Sequence, residues 1–214
     1  LGIFGVGYVG GSLLIGVLIG VALGTWAALR QNSVADYVVM FVGNTGSAFP
    51  SFVIGPVLIL VFAIWLKVAP AGGWNDFDPR YMMLPMALLV FIHVGTIGRV
   101  MRGSMIEVLH SNFIRTARAK GLPMRTVVLR HAIKPALLPV VSLIGPMAIS
   151  SITAAVVTES VFSIPGLGKL IVNGAANRDY TLVLGLVVLV TVIAVIFNLL
   201  VDLAYAALDP KIRY

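Results

Sequence analysis

Apolar residues in this chain fall in long uninterrupted blocks rather than in amphipathic alternation. Tyr8–Leu29 carries no charge before Arg30, Pro50–Leu66 carries none, and Tyr81–Gly98 holds only His93. Pro135–Val157 and Thr181–Val201 are also uncharged. An apolar run of about 18 residues or more is long enough to cross the hydrocarbon core of a bilayer as a helix. The blocks therefore predict an all-α, polytopic transmembrane helix bundle with five spans. The second block is the shortest. It is expected to borrow turns from Val38–Phe49, with kinks at Pro50 and Pro56 that neighbouring helices can accommodate.

Composition agrees with this pattern. Hydrophobic residues make up 59% of the 214, charged residues 11%, and mean hydropathy is +1.04. A soluble domain carries a charged fraction of about 25%. The net charge of +7 does not point to nucleic acid, because the cations are distributed as an orientation signal. Arg30, the eight Lys and Arg between Arg99 and Lys134, and Lys211 with Arg213 account for eleven of the fifteen. They fall on one side of the predicted bundle, which assigns that side to the cytoplasm. The C-terminus is then cytoplasmic, and the connections at 67–80 and 158–180 face outside. Five spans put the N-terminus outside as well. With nothing before Leu1 to carry it across, the expectation is a fragment, 1–214, of a transmembrane domain whose upstream helix is missing. There is no cysteine, so disulfides, Cys-based metal sites and a thiol nucleophile are excluded.

Within the first block, Ser12, Gly16, Gly20, Gly24 and Ala28 recur every fourth residue. They form one stripe of a helix and predict close helix packing. The outer connection Ala69–Arg80 reads as turns. The second, Thr158–Tyr180, contains Ile164-Pro165-Gly166-Leu167-Gly168 followed by Leu170, Ile171 and Val172. So many apolar residues predict a short re-entrant or interfacial helix at the outer mouth. The cytoplasmic stretch Met101–Lys134 sets Arg102, Arg115, Arg118, Lys120, Arg125, Arg130 and Lys134 against a single acid, Glu107. Helical runs are expected at Ser104–Leu109, Ile114–Lys120 and Met124–Ala132, broken at Gly121-Leu122-Pro123. By composition alone, this stretch could be a basic loop lying near anionic lipid.

Candidate chemistry is sparse. Glu107 and His110 share a spacing of three residues, but no third ligand lies near in sequence, so no metal site is assigned. Gly166-Leu167-Gly168-Lys169 has a faint likeness to a phosphate loop, yet Ser163 and Leu170 stand where Gly and Ser or Thr are required. No ATPase or other catalytic site is assigned to this chain, and no cofactor. An ion-coupled secondary transporter is the alternative reading, but such proteins keep carboxylates near the bilayer midplane. Asp202 and Glu159 fall at span ends, and His93 is expected to be a packing or pore-lining hydrogen-bonding residue.

The run Arg102-Gly103-Ser104-Met105-Ile106-Glu107-Val108-Leu109, with Ser111 to Pro123 and Arg130 to Pro139, resembles the cytoplasmic loop of the peptide-permease branch of binding-protein-dependent ABC importers. In the wider superfamily that loop reads Glu-Ala-Ala, three residues, Gly, nine residues, Ile-x-Leu-Pro. Gly121 matches the glycine and Ala117 the second alanine. Arg115 stands for the Glu, Thr116 for the first Ala, and His131 and Lys134 replace Ile and Pro, as they do in the peptide branch. Further matches are Pro50-Ser51-Phe52, the Gly166–Gly168 loop, Asn173-Gly174-Ala175, Asn177 to Tyr180, and Asp209 to Tyr214. The resemblance implies a type I ABC importer permease fold in a bacterial inner membrane. It also implies a cytoplasmic coupling loop, 102–134, whose Arg115, Thr116, Ala117, Arg118, Ala119, Lys120 and Gly121 meet an ATPase. The implied partners are a second, homologous permease, two cytoplasmic ATP-binding subunits, an extracytoplasmic peptide-binding protein, the peptide itself and membrane lipid. Oligopeptide, dipeptide and metal-chelate cargo are not separable by physical argument, and the closeness of the 102–123 run favours oligopeptide.

Overall fold

The computed structural model describes residues 2–75 and 78–208. The closing run Asp209 to Tyr214, and with it Lys211 and Arg213, lies outside the described residues. The architecture is all-helical. Helix α1 spans Gly2–Leu29, α2 Val34–Ala48 and α3 Ser51–Leu58, the last continuing as a π-helix over Ile59–Trp65. Helix α4 covers Arg80–Leu109, and the short α5 covers Asn112–Ala119. Helix α6, Met124–Thr126, runs through a π-helical stretch, Val127–Ala132, into α7, Ile133–Val161. Helix α8 is Leu167–Ala176 and α9 is Tyr180–Leu208.

Among the described residues, four helices are long and apolar enough to cross a membrane: Gly7–Leu29, Arg80–Leu109, Met124–Val161 and Tyr180–Leu200. The expected second span is different. Val34–Gly46 and Ser51–Trp65 meet at a bend of 108°, so a fifth span exists only if this broken pair is taken as one. Pro50 has no amide hydrogen and adopts extended backbone (φ −60°, ψ 145°) as the N-cap of α3, which ends α2 outright instead of kinking it. Pro56 sits inside α3 without breaking it.

Helix α4 is the centre of the bundle, packed against α1, α2 and α7. The glycine stripe of α1 lies against it. A Cβ on Gly16 would collide with His93, one on Gly20 would stand 2.9 Å from Ile97 Cβ, and one on Gly24 would stand 2.9 Å from Met101 Cβ. Ser12 is fully buried on the same helix and donates to the Val9 carbonyl at 2.8 Å. Helix α2 approaches α4 in the same way through Gly43 and Gly95, where a Cβ on Gly95 would collide with the Gly43 carbonyl. With no room for side chains, the backbones themselves are in van der Waals contact. His93, buried in α4, shares a 2.6 Å hydrogen bond with Ser151 Oγ of α7 and so ties a third helix to the centre. Helix α9 packs on α7 and α8 and otherwise turns Leu184, Val188, Val192 and Val195 outward.

The stretch 102–134, expected as a cytoplasmic loop, holds the last two turns of α4, which runs without a break to Leu109. It also holds the start of the 38-residue helical run Met124–Val161. The connection proper is 110–123, and it is built around α5.

Candidate functional site

The site at the α5 end is formed by the ends of two long helices and the short helix laid across them. His110 closes α4: its amide donates to the Glu107 carbonyl, and its Nδ1 lies 2.7 Å from the Ile106 carbonyl oxygen. Ser111 donates through Oγ to the Val108 carbonyl at 2.6 Å, which turns the chain into α5. Helix α5 is amphipathic. Ile114 and Ala117, three residues apart, are buried in the cluster formed by Met101, Met105, Leu109, Val127, Val128 and Ala132. Gly121 ends the turn with φ +76°, the left-handed region that favours glycine, and its amide donates to the Arg118 carbonyl at 2.9 Å.

The residues assigned to coupling are therefore split. Arg115, Thr116, Arg118, Ala119, Lys120 and Gly121 are exposed. Ala117 is not: its methyl packs into the chain's own core, so it is not on the exposed face and anchors α5 instead. The spacing of Ile114 and Ala117 already marks an inward face, because positions three apart share one side of a helix. Phe113 joins the outward face at 51% exposure and was missed in the sequence. Phe113 thus stands beside Arg115, Arg118 and Lys120 on the exposed face of a helix anchored from below.

The second missed feature is an ion pair. Asp36, in the first turn of α2, is 2% exposed and receives both Nε and Nη2 of Arg102, the latter at 2.6 Å. Its other task is local: Oδ2 accepts from the Asn32 amide at 3.1 Å, while Ser33 Oγ accepts from the Asp36 amide at 3.3 Å and caps the helix. One carboxylate thus fixes the α1–α2 turn and joins it to α4 two turns before that helix ends.

At the opposite end, Glu159 of α7 is 2% exposed. Its carboxylate accepts from the Gly168 amide at 2.7 Å, the Lys169 amide at 3.2 Å and the Tyr8 hydroxyl at 3.3 Å. These amides open α8, so the acid sits where the helix dipole favours negative charge. The amides that a phosphate loop would offer to a ligand are here occupied by a side chain. Nearby, Phe162 is fully buried with Leu84, Leu88 and Ile164, and its carbonyl accepts from the Gly73 amide at 2.8 Å. That bond pins the chain around Gly73 to the end of α7, just ahead of α8, the short helix expected after Gly166.

An all-helical bundle of long apolar helices, with one short amphipathic helix bolted across their ends, defines a multi-pass membrane protein of the permease type. Residues 20–214 match the family described as binding-protein-dependent transport system inner membrane component, and the chain belongs to that family. The chain is 57% identical over 198 residues to the oligopeptide transport system permease protein OppB of Haemophilus influenzae, covering 92% of this chain and 65% of that protein. It is 55% identical over 203 residues to OppB of Salmonella typhimurium, covering 95% and 66%. To the dipeptide transport system permease protein DppB of Bacillus subtilis it is 41% identical, covering 94% and 65%. The chain thus spans about two thirds of the length of these relatives. Among solved structures, a chain of the MetNI methionine ABC transporter in an inward-facing conformation matches with TM-score 0.77 at 15% identity, covering 97% of this chain and 94% of that one. A chain of an amino acid ABC transporter matches with TM-score 0.68 at 16% identity, covering 96% and 91%. At these identities the likeness is one of fold.

Proposed function

We propose that this chain forms half of the translocation pathway of an ATP-driven importer of oligopeptides. The observation that carries the reading is α5, anchored through Ile114 and Ala117 and presenting Phe113, Arg115, Thr116, Arg118, Ala119, Lys120 and Gly121 outward. A helix fixed in this way moves with α4 and α7 as one body, so force applied to its outer face by a closing ATPase passes into the membrane helices as tilt. The partners on this reading are a second permease of the same kind, two ATP-binding subunits beneath α5 and a peptide-binding protein over the Phe162–Gly73 end. The α5 end and the C-terminus are then cytoplasmic. Hydrolysis of ATP resides in the partner subunits. The oligopeptide cargo rests on the names of the relatives that match at 55% to 57% identity.

The test is reconstitution of the full-length chain in liposomes. With its sister permease, ATPases and binding protein, uptake of a labelled oligopeptide should depend on ATP. The permease alone with a proton gradient should take up none. Gradient-driven uptake by the permease alone overturns the reading in favour of an ion-coupled transporter.

A further inference from the structure

Beside α5 lies a partly open cavity of about 420 Å³, lined by the end of α1, the end of α4, Arg115 and Arg118 of α5, and Met124. Its charged lining is all of one sign. Arg30, Arg115 and Arg118 lie on its rim together with His110, and no carboxylate lines it. The acid nearest in sequence, Glu107, is exposed on α4 and does not line the cavity, and Asp36 is already paired with Arg102. Three guanidinium groups on the rim of one cavity, with no carboxylate among its lining, give it a positive field that favours an anion. Their planar forks match the oxygens of a phosphate better than a single point charge would.

The walls are not wholly polar. Leu29 and Met124 line the same cavity and are 41% and 42% exposed, while the buried Ala28 and Leu109 form its floor. Its depth is also fixed. The apolar span of α1 ends at Leu29, and Trp26, one turn earlier, is 41% exposed with the Arg30 guanidinium 5.3 Å from its ring centroid. An outward tryptophan next to an arginine marks the level where acyl chains give way to headgroups. A cationic cavity with an apolar rim at that level fits an amphiphile with a phosphate head, and basic pockets between helix ends are known to hold such heads.

We infer that the cavity between α1, α4 and α5 binds the phosphate of an anionic glycerophospholipid, held by Arg30, Arg115 and Arg118. The inference rests on α1 spanning the bilayer and not on the peptide-import reading. The lipid then lies under the helix on which an ATPase would act, and it stiffens the α1–α5 corner.

The experiment uses the purified full-length transporter in micelles doped with equal amounts of phosphatidylglycerol and phosphatidylcholine, read by native mass spectrometry. The wild type should retain phosphatidylglycerol selectively. The triple variant R30Q/R115Q/R118Q should retain it roughly a hundredfold less, since each basic group at an anionic lipid surface contributes roughly fivefold. The single variant Arg118→Gln should show an intermediate loss and keeps the test open if the triple variant is not produced. Brominated phosphatidylglycerol should also quench Trp26 more than brominated phosphatidylcholine does. A wild type without preference for the anionic lipid overturns the inference, as does displacement of the lipid by inorganic phosphate. So does a triple variant that keeps its lipid but sheds the ATPase subunits, which would assign the arginines to a protein contact.

Discussion

The Glu159 carboxylate lies 2.7 Å from the Gly168 amide, and this one bond explains the sequence between them. A Cβ on Gly166 would collide with the Glu159 carboxyl group, and one on Gly168 would collide with the Val156 backbone. The two glycines are what allow the start of α8 to reach a buried acid on α7. Replacing Glu159 by Ala removes the acceptor for Gly168, Lys169 and Tyr8 at once, and each buried donor left unsatisfied costs about 1–3 kcal/mol. Glu159→Ala should therefore lower the thermal unfolding midpoint of the purified complex well below that of Glu159→Gln, which keeps an acceptor oxygen. Equal midpoints for the two variants would remove the acid from its bracing role.

The same geometry sets an internal control with glycine. Gly168→Ala meets the Val156 backbone, which cannot swing aside as a side chain can, whereas Gly185→Ala on α9 meets nothing within 4 Å. Gly168→Ala should reduce the yield of folded protein after detergent extraction. Gly185→Ala should match the wild type. On α1, Gly20→Ala and Gly24→Ala should likewise destabilise by prising α1 from α4, while Gly10→Ala, with open space around it, should not.

How much of this was legible in the sequence depends on how far each cause acts along the chain. Uncharged blocks report burial in lipid directly, so α1, α4, α7 and α9 were readable from them. The stripe Gly16, Gly20, Gly24 reads as a packing face because four-residue spacing is local. The 108° bend at Pro50 was not readable, since proline dictates that a helix stops and the neighbouring helices dictate where the next one points. Nor could charge mark the end of α4, because Arg99 and Arg102 are compatible with a helix, and Met105, Glu107 and Leu109 carry it on. Asp36 gives no local signal of its role, because its partner is 66 residues away. The partition of α5 into an inward Ile114 and Ala117 and an outward remainder was available from spacing, but the motif match drew attention to small residues irrespective of face.

The Asp36–Arg102 pair yields a stability prediction. Asp36 is 2% exposed and Arg102 side-chain exposure is 25%, so solvent screens one end of the bridge. Breaking a fully buried pair costs about 3–5 kcal/mol, and partial exposure of Arg102 places this one at or below the lower figure. Asp36→Ala should shift unfolding in sodium dodecyl sulfate titrations markedly, and Arg102→Ala somewhat less. A double-mutant cycle should return a coupling of about 0.5–3 kcal/mol. Purely additive effects would mean that the carboxylate matters only as the anchor of the α1–α2 turn.

Orientation can be read with single cysteines, because the chain has none of its own. Asn75 and Asn173 are exposed at the end opposite α5, and Arg118 is exposed on α5. Asn75→Cys and Asn173→Cys should react with an impermeant thiol reagent in intact cells. Arg118→Cys should react only after permeabilisation. Trp74 is a poorer reporter than its neighbour, since it packs against the Phe162 cluster. The reverse labelling pattern would invert the bundle and move the α5 end outside.

The coupling surface is tested most directly by substitutions that separate its two faces. Gly121 has φ +76°, and a Cβ built there meets no atom within 4 Å. Within this chain, Gly121→Val carries a backbone cost of about 1–2 kcal/mol for the left-handed conformation, and its Cβ meets no neighbour. A loss of ATPase binding without a matching loss of stability points to a partner contact. Ala119 and Phe113 are exposed, so Ala119→Leu and Phe113→Ala should leave insertion and thermal stability close to wild type. If α5 seats in an ATPase, all three should weaken co-purification of the ATP-binding subunits and uncouple peptide uptake from ATP hydrolysis. Ala117→Leu should behave differently, because its added volume is forced into the cluster around Ile114 and Met105 and the whole bundle loses stability first. The measurement is co-purification of the ATPases alongside the unfolding midpoint of each variant. If Phe113→Ala, Ala119→Leu and Gly121→Val all retain the ATPases and transport normally, the outward face of α5 does not transmit the stroke. Its cations would then serve only the lipid phosphate and the orientation of the chain.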